Sequence, residues 1–81
     1  MAFYVYVLRS INHNRRYIGS CEDLSIRVHR HNSGKVRSSK AYKPYEIIYY
    51  EEFETRSEAF RREQFFKTIE GYYFLKSNGF Y

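Results

Sequence analysis

Phe3-Tyr4-Val5-Tyr6-Val7-Leu8-Arg9, then Asn12-His13-Asn14, then Arg16-Tyr17-Ile18-Gly19-Ser20, is the stretch on which the fold turns. Its two outer segments are rich in β-branched and aromatic residues, which suit a pleated, half-buried surface. The Asn-His-Asn between them is turn chemistry, because asparagine side chains bond to the nearby backbone. Residues 3–20 therefore read as a β-hairpin. Residues directly opposite each other in a hairpin share a face. A two- or four-residue loop points Tyr6 and Tyr17 the same way, whereas a three-residue loop separates them.

Downstream of the hairpin, Asp23 is a good N-cap for a helix over 24–32, and Gly34 a good stop just past it. Leu24, Val28 and His31 form a stripe on that helix. Arg27 lies beside the stripe, four residues before His31 and so its neighbour. Residues 35–44 form a basic loop ending at Pro44, the only proline. Residues 45–53 read as a third strand with Ile47, Tyr49 and Phe53 on one face. Thr55 and Glu58 fit a capping box that opens a helix over 56–69. Gly71 interrupts that pattern, residues 72–75 read as a last helical turn, and Ser77-Asn78-Gly79 as a terminator. The order β-β-α-β-α with a short helical tail predicts an α+β fold. It is a small three-stranded antiparallel sheet flanked by helices, forming one domain over residues 1–81.

The chain has 81 residues, a formal charge of +5 and 21% aromatics, with ten tyrosines and seven phenylalanines. That exceeds what a small core needs, so many phenol rings are expected half-buried with the hydroxyl wet. The positive charge is local. Ser25 to Tyr45 holds six Lys or Arg and no acid, whereas Glu46 to Glu70 holds seven acids against four bases. A basic segment of this kind suits a polyanion. The single cysteine, Cys21, excludes an intrachain disulfide and a cysteine-based zinc cluster. No stretch has the length of a membrane span or the pattern of a signal peptide, so a cytoplasmic protein without membrane attachment is expected. Two phenols, a guanidinium and a carboxylate suit metal-assisted attack on a phosphate better than acyl transfer or redox chemistry.

With those residues in order, the chain resembles the GIY-YIG nuclease superfamily, in its small stand-alone form. Tyr4-Val5-Tyr6 stands where the family has Gly-Ile-Tyr, and Tyr17-Ile18-Gly19 matches the second signature letter for letter. Leu24-x-x-Arg27 with His31-Asn32-x-Gly34 resembles the family's first helix and its exit. Ala59-x-x-x-Glu63 resembles the helix that carries the metal-binding glutamate. The resemblance runs from Phe3 to about Lys67. It implies an endonuclease that hydrolyses DNA phosphodiester bonds with one divalent ion, Mg²⁺ or Mn²⁺, with a place in DNA repair or processing. In it Glu63 holds the metal, Tyr6 and Tyr17 shape the site and one of them helps activate water, Arg27 steadies the phosphate, and His31 lies one turn on. Two departures stand out. Tyr4 replaces the leading glycine, and Ser20 stands where some members carry a lysine. Asn78 lies near where some members place an asparagine.

The residues themselves leave alternatives. Tyrosine ordinarily titrates near pH 10, so Tyr6 or Tyr17 needs nearby positive charge to act as a base. His31 is the competing base because its ordinary pKa needs no large shift. Arg27 can grip phosphate bidentately, which lysine cannot. Glu63 falls between Ala59 and Phe66 on a helix face and needs a partner, either a cation or Arg62. One carboxylate suffices for Mg²⁺ when substrate phosphate and water complete the shell, which makes metal binding weak without DNA. Arg30, Lys35, Arg37, Lys40 and Lys43 are expected to track a phosphate backbone, of DNA or alternatively RNA. A protein partner or homodimer is expected to supply specificity. The rival reading is a catalytically silent nucleic-acid-binding module with the same fold.

Overall fold

The structure, a computed structural model, describes residues 2–80. Strands β1 (Phe3–Ser10) and β2 (Arg16–Cys21) form the hairpin, and β3 (Tyr45–Phe53) pairs antiparallel on the far side of β1, giving the order β2-β1-β3. The Ser10 amide bonds the Arg15 carbonyl at 3.0 Å, beyond the Arg9–Arg16 pair. The connection is thus the four residues 11–14. Tyr6 opposes Gly19 and Leu8 opposes Tyr17, so both tyrosines project from one face.

Val5, Tyr6, Val7 and Leu8 are each fully buried. A central strand covered on both faces reads as a continuous apolar run rather than an alternation, which explains the weak periodicity of β1. Helix α1 (Leu24–Asn32) covers the face bearing Tyr6 and Leu8, while α2 (Arg56–Phe66) and α3 (Ile69–Ser77) cover the face bearing Val5 and Val7.

The third strand departs from the expected stripe. Val7 pairs with Tyr49 but Leu8 pairs with Ile47, so Ile48 is the extra residue of a β-bulge. Inserting one residue reverses the facing of everything beyond it. Ile47 therefore packs with Tyr6, Leu8 and Tyr45 on the α1 side, while Tyr49 and Phe53 pack with Val5, Val7 and Phe66 on the other.

Capping fixes the helix boundaries. Asp23 Oδ1 accepts from the Ile26 amide at 3.0 Å, and Gly34 adopts φ +80° beyond the last turn of α1. Thr55 Oγ1 accepts from the Glu58 amide at 3.2 Å, as the capping box requires. The helix expected over 56–69 ends at Phe66 instead. Thr68 Oγ1 donates to the Phe65 carbonyl at 2.6 Å and accepts from the Gly71 amide at 3.1 Å, so it closes α2 and starts α3. A Cβ on Gly71 would overlap the Phe65 carbonyl oxygen, so only glycine allows the two helices to turn this tightly. The expected short tail is accordingly a nine-residue helix whose Leu75 is fully buried in the core.

Candidate functional site

On the α1 face the hydroxyl of Tyr6 is the hub. Arg27 Nε donates to it at 3.0 Å, and His31 Nε2 lies 3.0 Å away on the other side. His31 Nδ1 is 2.6 Å from Ser39 Oγ, and Ser39 Oγ in turn donates to the Val36 carbonyl at 3.3 Å. These partners assign the protons. Ser39 gives its hydrogen to a carbonyl, so it accepts from His31 Nδ1–H. His31 Nε2 is then an acceptor, and it receives the Tyr6 hydroxyl proton. The order Arg27→Tyr6→His31→Ser39→Val36 is a one-directional chain whose Tyr6, His31 and Ser39 members are at most 1% exposed. Tyr17 completes the pocket, its ring 6.5 Å from that of Tyr6 at an interplanar angle of 22° and 4.6 Å from the His31 ring.

Gly19 makes this packing possible. A Cβ there would lie 2.5 Å from Tyr6 Oη and 3.3 Å from Tyr17 Cε1. The glycine of the second signature is thus a close-approach residue beneath the phenol.

The electrostatics correct two expectations. Burial pushes the Tyr6 phenol up to about 12, although the Arg27 hydrogen bond and charge pull the other way. Positive charge is present, as expected, but desolvation of a phenolate outweighs it. His31 is not a histidine of ordinary pKa either. Burial, with the charges of Arg27 and Arg30, lowers it to about 4. It is held neutral, with Nε2 already engaged by Tyr6. Arg27 is shifted up by its bond to Tyr6 and stays charged.

Glu63 sits on the other side of the sheet, on α2. Its Oε1 accepts from Ser20 Oγ at 2.8 Å and its Oε2 from Lys67 Nζ at 2.8 Å. Ser20 alternates with Tyr17 and Gly19 along β2, so its side chain faces α2 and not α1. The carboxylate therefore does not contact Tyr6, Tyr17 or Arg27 directly. What joins the two halves is the free edge of β2. A groove of about 430 Å³ is lined by Ser20, Arg27 and Arg30, and another of about 410 Å³ by Tyr17, Ser38 and Lys67. Each of the two residues that hold Glu63 thus shares an open groove with a member of the phenol pocket. Arg62, the alternative partner for Glu63, is committed elsewhere. It pairs with Glu51 at 2.8 Å and stacks over the Phe65, Phe66 and Phe74 rings.

Among the described residues no three His, Cys, Asp or Glu side chains cluster as a ready-made metal cage. A hard cation would find one carboxylate here, with a serine hydroxyl beside it. Oxygen donors of this sort suit Mg²⁺ or Mn²⁺ in a shell completed by water and phosphate. The Lys67 ammonium, four residues on, forms an ion pair with Oε2.

Of the basic residues, Arg30 lines the groove with Arg27, whereas Lys35, Arg37, Lys40 and Lys43 lie along the loop that Ser39 anchors. Asn78 caps α3, its amide donating to the Phe74 carbonyl at 2.7 Å. Sequence reasoning did not single out Ser39, Lys67 or the hydroxyl of Ser20. Ser20 stood out only as a departure, and no local pattern marks one serine among Ser33, Ser38 and Ser39 as buried. No described helix is long and apolar enough to cross a membrane.

Comparison with known proteins agrees with this architecture. A family model described as the GIY-YIG catalytic domain matches residues 2–75. The UPF0213 protein of Pediococcus pentosaceus is 40% identical over 81 residues, covering 95% of this chain and 84% of that protein. The UPF0213 protein SERP0126 of Staphylococcus epidermidis is 38% identical over 66 residues, covering 80% of this chain and 79% of that protein. The solution NMR structure of the UPF0213 protein BH0048 from Bacillus halodurans aligns with a TM-score of 0.55 at 28% identity, covering 95% of this chain and 84% of that chain.

Proposed function

Because the chain belongs to the GIY-YIG catalytic domain family, a family of nucleases, we propose that it is a divalent-metal-dependent endonuclease acting on DNA. In this reading the Tyr6–Tyr17–Arg27–His31 pocket and the Glu63 carboxylate act from opposite sides of the β2 edge. The observation that carries the proposal is the Tyr6 hydroxyl, held between Arg27 and His31 by two 3.0 Å contacts. A packing tyrosine needs one partner, whereas this one is aimed.

Each residue then has a defined task. Tyr6 is fully buried, so its hydroxyl orients Arg27 and His31, and the attacking water is met by Tyr17, which lines the open groove beside Lys67. The Tyr6 phenol, raised to about 12, and the His31 imidazole, lowered to about 4, both stay neutral and act by position. The Nη groups of Arg27 remain available for the phosphate oxygens. Tyr17 stacks beside Tyr6 and fixes its plane. Glu63, with Ser20 orienting it, would hold Mg²⁺ or Mn²⁺, and Lys67 would release Oε2 to make room. When bound, the ion supplies Lewis-acid stabilisation of the phosphate and leaving oxygen. Arg30 and the Lys35–Lys43 loop supply backbone contacts that carry no sequence preference.

The test is cleavage of labelled flap, nicked, duplex and single-stranded DNA with Mg²⁺ or Mn²⁺. Cutting of at least one form is expected, with a fall of about a hundredfold or more in Tyr6→Phe and Glu63→Gln. A folded parent that cuts none of them refutes the activity. The rival, a silent binding module, is favoured by one observation: both Glu63 oxygens are already engaged by Ser20 and Lys67. It requires Glu63→Gln to bind DNA like a parent that does not cut.

A further inference from the structure

Three clefts run end to end across the outer side of β2 and α3. The first, beside Tyr17, includes Lys67 and Arg16. The second, of about 570 Å³, continues from Lys67 to Ile69, Tyr72 and Tyr73. The third, of about 420 Å³, continues from Tyr72 to Arg15, Arg16 and Lys76. Lys67 is shared by the first two and Tyr72 by the last two, so the surface is continuous. Among the described residues no acid lines any of them, and Lys67 is paired from outside with Glu63.

The apolar side chains along this path are unusually open. Ile69 is 75% exposed and Tyr73 59% exposed, one helical turn apart on α3. The Tyr72 and Tyr73 rings meet edge to face at 5.3 Å, and Lys76 Nζ lies 5.5 Å from the Tyr72 ring centre. Neither ring belongs to the buried core of the α2–α3 face. Cations and flat rings thus alternate from Tyr17 outward.

We propose that this strip is a binding surface for unpaired DNA, which leads a single-stranded segment of the substrate away from the β2 edge. A single strand offers regularly spaced negative charge and free ring faces, and stacking platforms set in a positive groove bind it without sequence preference. A duplex hides its base faces within the stack and meets only the cations. A protein partner fits less well, because the apolar strip is interrupted by the cationic side chains of Arg15, Arg16, Lys67 and Lys76. The proposal deepens the nuclease reading by naming the form of the substrate; what happens beside Tyr17 rests on that reading, but binding along α3 does not.

The experiment measures fluorescence anisotropy of a labelled oligothymidylate of about 20 nucleotides with the full chain in EDTA, so that nothing is cut. Tyr73→Ala is expected to weaken binding about tenfold, within the range for losing one base stack. Tyr73→Phe should bind like the parent. Tyr50→Ala, which removes a ring 53% exposed on β3, should change nothing. A matched duplex and an abasic strand should bind more weakly than the oligothymidylate. The proposal is overturned if Tyr73→Ala binds like the parent at an unchanged melting temperature, if Tyr50→Ala loses as much, or if the abasic strand binds equally well. It is also overturned if oligouridylate binds more tightly than oligothymidylate. Loss of binding in Tyr73→Ala, with a parent that cuts no DNA in metal, leaves this surface standing and refutes the nuclease. Cleavage by a parent whose strand binding ignores Tyr73 does the reverse.

Discussion

Replacing Gly19 by alanine tests the arrangement beneath the phenol most directly, because two effects of opposite sign compete there. Gly19 has no left-handed backbone geometry to protect. On backbone grounds alone, alanine should stabilise by about 0.4–1 kcal/mol through the unfolded chain. Sterically, the new Cβ would lie 2.5 Å from Tyr6 Oη and 2.8 Å from Tyr6 Cζ. That ring cannot yield cheaply. It is fully buried, and its hydroxyl is held by Arg27 on one side and His31 on the other. Overpacking costs about 1–3 kcal/mol, and losing the bond to the charged Arg27 about 1.5–3 kcal/mol. The clash wins, with a net loss of roughly 2–4 kcal/mol, a large share of the stability of a domain this size. Urea unfolding at neutral pH measures it. A double-mutant cycle with Tyr6→Phe isolates the cause, since removing the hydroxyl removes the closest contact. The two substitutions should be coupled by about 1 kcal/mol or more, with Gly19→Ala less harmful once the phenol oxygen is gone. Strict additivity, or a Gly19→Ala variant as stable as the parent, refutes the reasoning.

The other predictions concern the chain of hydrogen bonds. Arg27→Lys keeps the charge but cannot donate to Tyr6 and grip phosphate together, so cleavage should fall about a hundredfold while binding of uncut DNA changes little; equal cleavage rates would count against the role. Ser39→Ala leaves His31 Nδ1–H without an acceptor, so the imidazole should switch to the Nε2–H tautomer, read from its ¹⁵N shifts; an unchanged tautomer contradicts the assigned proton order. Because His31 is lowered to about 4 in the folded state from 6.5, the unfolded chain binds the extra proton first. Its contribution is therefore complete above about pH 6.5 and is lost as pH falls toward 4, by about 1 kcal/mol at pH 5.5. Guanidinium unfolding at pH 7.5 and 5.5 should show that loss in the parent and not in His31→Gln.

Local chemistry was legible in the sequence because local chemistry determined it. Asp23 and Thr55 are N-caps in the chain and in the fold, and the four-residue turn set Tyr6 and Tyr17 on one face as the hairpin pattern required. The errors came from contacts between distant residues. Ile47 and Tyr49 are two apart, and nothing near them announces the bulge at Ile48 that sends them to opposite faces. The break between α2 and α3 depends on Thr68 and on how closely Gly71 approaches Phe65, where helical periodicity alone continues through. Tyr6 read as a phenol within reach of positive charge, and so it is. Its burial, which depends on three elements closing over it, decides its pKa instead. Ser39 and Ser20 matter through partners 8 and 43 residues away, beyond any motif.

The placement of Glu63 looks at first like the failure of a four-residue site, since it lies across the sheet from the phenols. The position of β2 changes that conclusion. It is an edge strand, and among the described residues β1 is the only strand that pairs with it. An exposed edge is ordinarily a liability that proteins shorten or charge. Here it is six residues long, opens with Arg16 and carries Gly19, so it stays low and basic. Side chains of both faces can therefore meet a ligand that lies along the edge, although they cannot meet each other through the sheet. A phosphodiester seated there would face Arg27 and Tyr17 on one side and the Ser20–Glu63 pair on the other. On the proposed reading, substrate itself assembles the two halves. Measured affinity of Mn²⁺ should then rise when DNA is present, and Ser20→Ala, which frees Glu63 from its orienting hydroxyl, should weaken that increase. A Mn²⁺ affinity independent of DNA would mean that Glu63 and the phenols do not share a substrate.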